Sequence, residues 1–248
     1  KLSLKLEEFL YNKAWLVTGQ SKEIIYNIKS RFKSVNTFRL SNGVDTDKYK
    51  PQFKSNILEN WAGDVKIKIV YAGLHGIAQG LDQIIESANL VEKTNTNFQI
   101  IFVGDGPEKN KLQDQNKLLK NSSIKFVNPQ PKNKMPEIWA SADIAIIPLK
   151  QYIPGAVPSK LYEAMSSAVP VLLIGEGERA KIVSDSNCGL VIKPYDIKLI
   201  AKSMLKLIND NNMRKSFGKN GREYVKKKYN RKLINQRFSE YLGLHYDY

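Results

Sequence analysis

Cysteine and histidine are nearly absent from this sequence. One cysteine, Cys188, lies inside an apolar run, so neither a disulfide framework nor a cysteine-built metal site is available. Two histidines, His75 and His245, leave little for zinc. No apolar run reaches about 18 residues, the length a spanning helix needs. The start, Lys1 to Trp15, lacks the pattern of a secretory signal. These absences lead us to expect a soluble, cytoplasmic protein. Acids are scarce beside bases: 24 Asp and Glu stand against 39 Lys and Arg, a net charge of +15. That excess favours acidic partners such as nucleic acid, an anionic membrane surface or phosphorylated small molecules. Lysines crowd Lys109 to Lys134 and Arg214 to Lys232 on amphipathic helical patterns. Arginines and aromatics are not interleaved there as a nucleic-acid face would have them, and no nucleic-acid partner is expected.

What is present is a chain of 248 residues, 42% hydrophobic, able to bury a core as one large or two small domains. Short apolar or β-branched runs closed by Gly or Pro recur at Lys66 to Gly73, Phe98 to Gly104, Ile124 to Pro129, Asp143 to Leu149, Val169 to Gly175 and Cys188 to Lys193. Helical patterns separate them, and a helical tail follows from Asp196 to about Leu244. Strands alternating with helices predict an α/β fold, a doubly wound parallel sheet of Rossmann-like type. In such sheets ligands bind beyond the carboxyl ends of the strands. Before Pro51 there is material for only two strands and a helix, and Lys48 to Asp64 reads as a linker.

The stretch Gly155 to Gly175, "GAVPSKLYEAMSSAVPVLLIG", divides by period. Gly155 to Pro158 cannot stay helical, Ser159 to Ala168 reads as a short helix, and Val171 to Ile174 as a buried strand. Loop amides, the helix start and Lys160 converge on one place, which outlines a phosphate site. One turn further in, the Glu163 carboxylate can accept two hydrogen bonds from a vicinal diol such as a ribose. A helix-start acid beside a solvated lysine is the alternative reading of the same pair.

"NGVD", "GLHGIAQGLD", "FVGDGPE", "MPEIWASADIAIIPL", "PSKLYEAMSSAVPVL" and "NGREYVKKKYN", in this order, resemble the second half of a family 4 (group 1) retaining glycosyltransferase of GT-B architecture. The likeness covers Val35 to Arg237 and is nearest to the bacterial surface-polysaccharide branch, transferases of the N-acetyl-fucosamine type. It implies that Glu163 holds the ribose of a nucleotide sugar. The family's preceding glutamate falls at Gly155, and its Arg and Lys after the first strand fall at Leu74 and Gln79, so all three are missing. The expected donor site is therefore Gly73, His75, Gln79, the backbone of Gly155, Ala156, Val157, Pro158 and Ser159, Lys160 and Glu163, with a uracil read near Asn128, Pro129 and Gln130. Asp105 is expected to form a turn. No metal and no cofactor is implied beyond a UDP-sugar donor, and no catalytic residue is assigned. The resemblance implies a sugar or lipid-linked acceptor and peripheral contact with the inner membrane face. It divides the chain into an acceptor-lobe remnant (1–45), a linker (46–65), the nucleotide-sugar domain (66–230) and a last helix crossing back (231–248), and implies a fragment that transfers nothing alone. A GT-B sugar-nucleotide epimerase and a non-catalytic nucleotide-binding module remain as alternatives.

Overall fold

The computed structural model describes residues 2–243. The chain runs α1 (Leu2–Lys13), β1 (Val17–Gly19), α2 (Lys22–Arg31), β2 (Thr37–Arg39), α3 (Glu59–Ala62), β3 (Ile67–Ala72), α4 (Asp82–Glu92), β4 (Phe98–Val103), α5 (Lys109–Leu118), β5 (Ile124–Val127), α6 (Met135–Ser141), β6 (Ile144–Pro148), α7 (Ser159–Ser166), β7 (Val171–Ile174), α8 (Glu178–Ser186), β8 (Gly189–Ile192), α9 (Ile197–Asn209), α10 (Asn211–Lys228) and α11 (Arg231–Tyr241).

Six strands form one wholly parallel sheet in the order β5-β4-β3-β6-β7-β8. The near-continuous apolar runs of β3, β4, β6 and β7 follow from burial on both faces, which parallel sheets require. Alternate residues feed opposite cores. Val70, Ala72, Ile101 and Val103 meet Trp139 of α6 and Leu161 and Met165 of α7. Ile69, Tyr71, Ile100 and Phe102 meet α4 and α9 through Ile84, Ile85, Ile200 and Met204. The strand order reverses between β3 and β6, so the loops after them diverge and leave a crevice at the carboxyl edge.

Outside this sheet the structure departs from the expectation in three places. The segment read as a linker is built into the core. It carries two 3-10 turns, Pro51–Phe53 and Asn56–Leu58, and then α3, because Leu58, fully buried, and Ala62 pack under the sheet. The expected helical tail, with its separate last helix from 231, is three helices. Asp210 ends α9 and caps α10 by accepting from the Met213 amide at 2.8 Å, and Asn230 caps α11 in the same way through the Lys232 amide at 3.0 Å. An unanticipated helix, α1, precedes β1. Its Leu4, Phe9 and Leu10 stay more than half exposed, so the apolar rhythm that normally reveals a helix serves no core here. It is held instead by a two-point Arg31–Glu7 pair and an edge contact of Tyr11 on Phe32 at 5.3 Å.

β1 and β2 pair in parallel as a separate two-stranded sheet. Val44 joins that part to the main body by exchanging backbone bonds with Tyr229 and Arg231, each 2.9 Å. α11 reaches β2, where Phe238 and Tyr241 stand 5.2 and 4.7 Å from the Phe38 ring and the Tyr241 hydroxyl donates to Asn36. The rest of the expected crossing segment, 244–248, lies outside the described residues.

Candidate functional site

At the carboxyl edge, the loops after β3, β4 and β5 and the start of α7 enclose a cavity of about 440 Å³. Gly73 and Leu74 come from the first loop, Gly104 and Asp105 from the second, Pro129 and Gln130 from the third; α6 contributes Met135, and α7 Ser159, Lys160 and Glu163. The helix start follows from Pro158, whose extended backbone is the N-cap. The amides of Ser159 and Lys160 thus fall in a first turn that offers them no helical acceptor.

Lys160 reaches across the cavity floor. Its ammonium lies 4.2 Å from the centre of the Tyr71 ring, a cation–π contact, and a Cβ at Gly73 would collide with it. Gly73 holds φ +145, so both space and backbone require glycine there. Burial pushes the Lys160 ammonium down to about 8, against the pull of the Glu163 charge. Tyr71 is itself fixed, its hydroxyl donating to the Leu74 carbonyl at 2.5 Å.

Glu163 stands one turn along the same helix face. The Trp139 indole donates to its Oε2 at 3.1 Å. Burial raises the carboxyl above its ordinary value, opposed by the Trp139 bond and by the charges of Lys160, Arg231 and Lys48. The neighbouring Tyr49 phenol is pushed up to about 12, by burial first and by the Glu163 charge second. A desolvated carboxylate and a desolvated ammonium therefore share one cavity, each poised to gain from a ligand that supplies hydroxyls or negative charge.

Other expected residues sit elsewhere. His75 brings its backbone to the loop, donating to the Asp105 carbonyl at 2.8 Å, but its ring is fully buried among Tyr71, Phe102 and Phe126 and lines no part of the cavity. Gln79 is also outside the lining, its Oε1 buried without a partner among the described residues. The first two amides of the expected cradle are already engaged, that of Gly155 donating to Glu23 at 2.6 Å and that of Ala156 to the Ile153 carbonyl at 3.1 Å, and of the five residues only Ser159 lines the cavity. Val157 packs into the core beside Leu161. Asn128 lies just outside the cavity, its Oδ1 accepting from Lys109 at 3.0 Å. Asp105 lies in the loop just before the turn at residues 107–108, its carboxylate accepting from the Gly106 amide at 2.8 Å.

Sequence reasoning missed Tyr71 and Trp139. Both are core aromatics by their period, and only the third dimension brings the ring face of one onto Lys160 and the indole N–H of the other onto Glu163. A second cavity of about 440 Å³ lies around Lys66, Asp143, Asn209 and Arg214, residues at the amino ends of β3 and β6 and the α9–α10 turn. Its polar groups already serve the backbone, Arg214 donating to Leu207 and Ile208 and Asp143 accepting from Lys68. No group of three or more His, Cys, Asp or Glu that could hold a metal occurs among the described residues.

The model of the family "Glycosyl transferases group 1" matches residues 58–224, two thirds of the chain. The chain belongs to this glycosyltransferase family. The match begins at Leu58, inside the segment first read as linker, in accord with that segment's burial. The sulfoquinovosyl transferase SQD2 of Arabidopsis thaliana is 26% identical over 202 residues, covering 78% of this chain and 38% of that protein. The capsular polysaccharide biosynthesis glycosyltransferase CapM of Staphylococcus aureus is 24% identical over 200 residues, 79% of this chain and 51% of that one. The chain thus spans about two fifths and about half of these relatives' lengths. Among solved structures, Anabaena HepE in complex with UDP-glucose superposes with a TM-score of 0.83 at 20% identity, over 98% of this chain and 67% of that one. At that identity the agreement is one of fold, and the fold is the Rossmann-like lobe of GT-B glycosyltransferases.

The buried imidazole sets a test of the site's limits. Burial, with Lys109 and Lys160 nearby, pushes His75 down to about 4, only Asp105 opposing, and neither ring nitrogen has a partner among the described residues. The unfolded chain therefore takes the proton first as pH falls: stability is full above about 6.5 and declines toward 4, at up to about 1.4 kcal/mol per pH unit for one proton. His75→Phe is expected to remove that slope and to raise the melting temperature, by about 1 kcal/mol in stability from the unmade hydrogen bonds. Thermal melts from pH 4 to 7 check this, and an unchanged slope would assign the acid sensitivity to other groups.

Proposed function

We propose that this chain binds a nucleoside diphosphate sugar, UDP-linked, and takes part in transferring the sugar with retention of anomeric configuration to a polysaccharide or lipid-linked acceptor. One observation carries the reading: Lys160 and the first-turn amides of α7 lie beside Glu163 in a single cavity whose far wall is Pro129 and Gln130. In this reading Glu163 accepts from the ribose hydroxyls, with Trp139 holding Oε2 so that the carboxylate keeps one orientation. The uracil edge meets the backbone at Pro129 and Gln130. The diphosphate lies against Lys160 and the start of α7. As the bond to the sugar breaks, negative charge grows on the leaving phosphate, and a pre-oriented ammonium in a poorly solvated cavity stabilises that charge more than water would. The scheme assigns charge compensation to Lys160 and the helix start, with no metal ion. Of the two carboxylates in the cavity, Asp105 already serves the Gly106 amide and pairs with Lys109 at 3.8 Å, so no free pair is available for double displacement.

The capsular transferase of Staphylococcus aureus and the lipopolysaccharide glucosyltransferase WaaG of Escherichia coli, 30% identical over 150 residues, support a role in surface polysaccharides. The finer likeness to N-acetyl-fucosamine transferases rests on the Pro-Ser-Lys before Tyr162 and Glu163. For the net charge of +15 we propose peripheral contact with an anionic membrane, each nearby lysine contributing on the order of 1 kcal/mol. Anionic vesicles should float the protein at low salt and release it at high salt; absence of flotation at every ionic strength contradicts that part.

Titration calorimetry with UDP and with uridine tests the site. Glu163→Ala should weaken both by about 1.5–3 kcal/mol, roughly ten- to a hundredfold. Lys160→Ala should weaken UDP alone. Because Lys160 titrates at about 8, UDP affinity should be full below that pH and fall above it, whereas uridine binding stays flat. Equal UDP affinity in parent and Glu163→Ala would overturn the assignment.

A further inference from the structure

Loop 149–158 joins β6 to α7 and so sets where Ser159 and Lys160 stand. Two side chains from distant elements hold it from different sides. Arg179 of α8, 1% exposed, donates to the carbonyls of Leu149, Gln151 and Ala156 at 3.4, 3.4 and 3.2 Å. From α2, Glu23 accepts through Oε2 from the Gly155 amide at 2.6 Å and from the Tyr152 hydroxyl at 3.3 Å. Glu178, the first residue of α8, completes the clasp by accepting from the Glu23 amide at 3.1 Å. Burial lowers the Arg179 guanidinium, and the Glu23 and Glu176 charges oppose that.

Residue 155 explains why this contact is possible. A side chain there would collide with Ile24 Cγ1 and Ser21 Oγ, and φ is +72. Only glycine lets the first turn of α2 come close enough for Glu23 to take the loop amide. Glu23 is thus a carboxylate delivered from the N-terminal segment to the backbone just ahead of the cavity, in a charge-assisted bond of the stronger kind.

We propose that Glu23 is a positioning residue of the donor site: it latches α2 onto loop 149–158 and through that loop fixes Ser159 and Lys160 against the diphosphate. The proposal rests on the donor reading above. It links the placement of the N-terminal segment to phosphate binding, whereas Gln130 stands on another loop and Glu163, further along α7, has its own anchor in the Trp139 indole.

The test combines UDP and uridine calorimetry with hydrogen exchange of loop 149–158, on the full chain. Glu23→Ala should speed exchange in the loop and weaken UDP roughly threefold to tenfold, with uridine unchanged. Glu23→Gln, which keeps an acceptor oxygen without the charge, should recover part of the loss. Gly155→Ala, which forces α2 away while leaving Glu23 intact, should reproduce the Glu23→Ala phenotype. Unchanged UDP affinity in Glu23→Ala overturns the proposal, and so does an equal loss of UDP and uridine, which marks general damage. If the parent itself binds no UDP, the donor reading fails, and unchanged loop exchange in Glu23→Ala then overturns the latch on its own evidence.

Discussion

An ammonium taken partly out of water needs compensation, and in this molecule the compensation organises the site. Lys160 lies over the face of Tyr71, beneath a glycine that leaves it room, one helical turn from Glu163. Neither ring face nor neighbouring carboxylate restores its ordinary basicity, and burial still holds it near 8. Glu163 carries the mirrored deficit, its carboxyl raised by the same lack of water and steadied by the Trp139 indole. Two charges kept short of solvation beside each other are costly for the folded chain alone and productive for a ligand that brings an anion to one and hydroxyls to the other.

The sheet makes that arrangement possible. Because the strand order reverses between β3 and β6, the loops leaving them part, and α7 enters the gap with its amino end toward β3. Tyr71 and Trp139 belong to the two cores on either side of the strands, and from there they hold Lys160 and Glu163. The loop ahead of α7 is pinned by Arg179 and by Glu23, so the position of Lys160 depends on elements far apart in the chain.

The alternation of apolar runs and helical patterns is enough to read the six-stranded sheet and its carboxyl edge, where the cavity lies, because parallel strands buried on both faces leave a plain signature. Glu163 and Lys160 were legible from their spacing after Pro158. The histidine was misleading. His75 stands at the carboxyl end of a strand, but whether its ring turns to the cavity or the core depends on the aromatic nest of Tyr71, Phe102 and Phe126, drawn from three separate strands. The cradle of amides from Gly155 is cut short at its first two members for a similar reason. Local sequence shows that the amides are free of a helix, and it cannot show that Glu23, 132 residues away, already holds one. The so-called linker was hidden by its turns and charges, among which Leu58 is the single deep anchor.

The most direct measurement of the central claim is a crystal structure of the chain with UDP. The account predicts the ribose hydroxyls on Glu163, the diphosphate within hydrogen-bond reach of Lys160 Nζ and the Ser159 amide, and the uracil against Pro129 and Gln130. UDP bound at the opposite edge, around Asp143 and Arg214, or bound at the carboxyl edge without contact to Glu163 and Lys160, would contradict it.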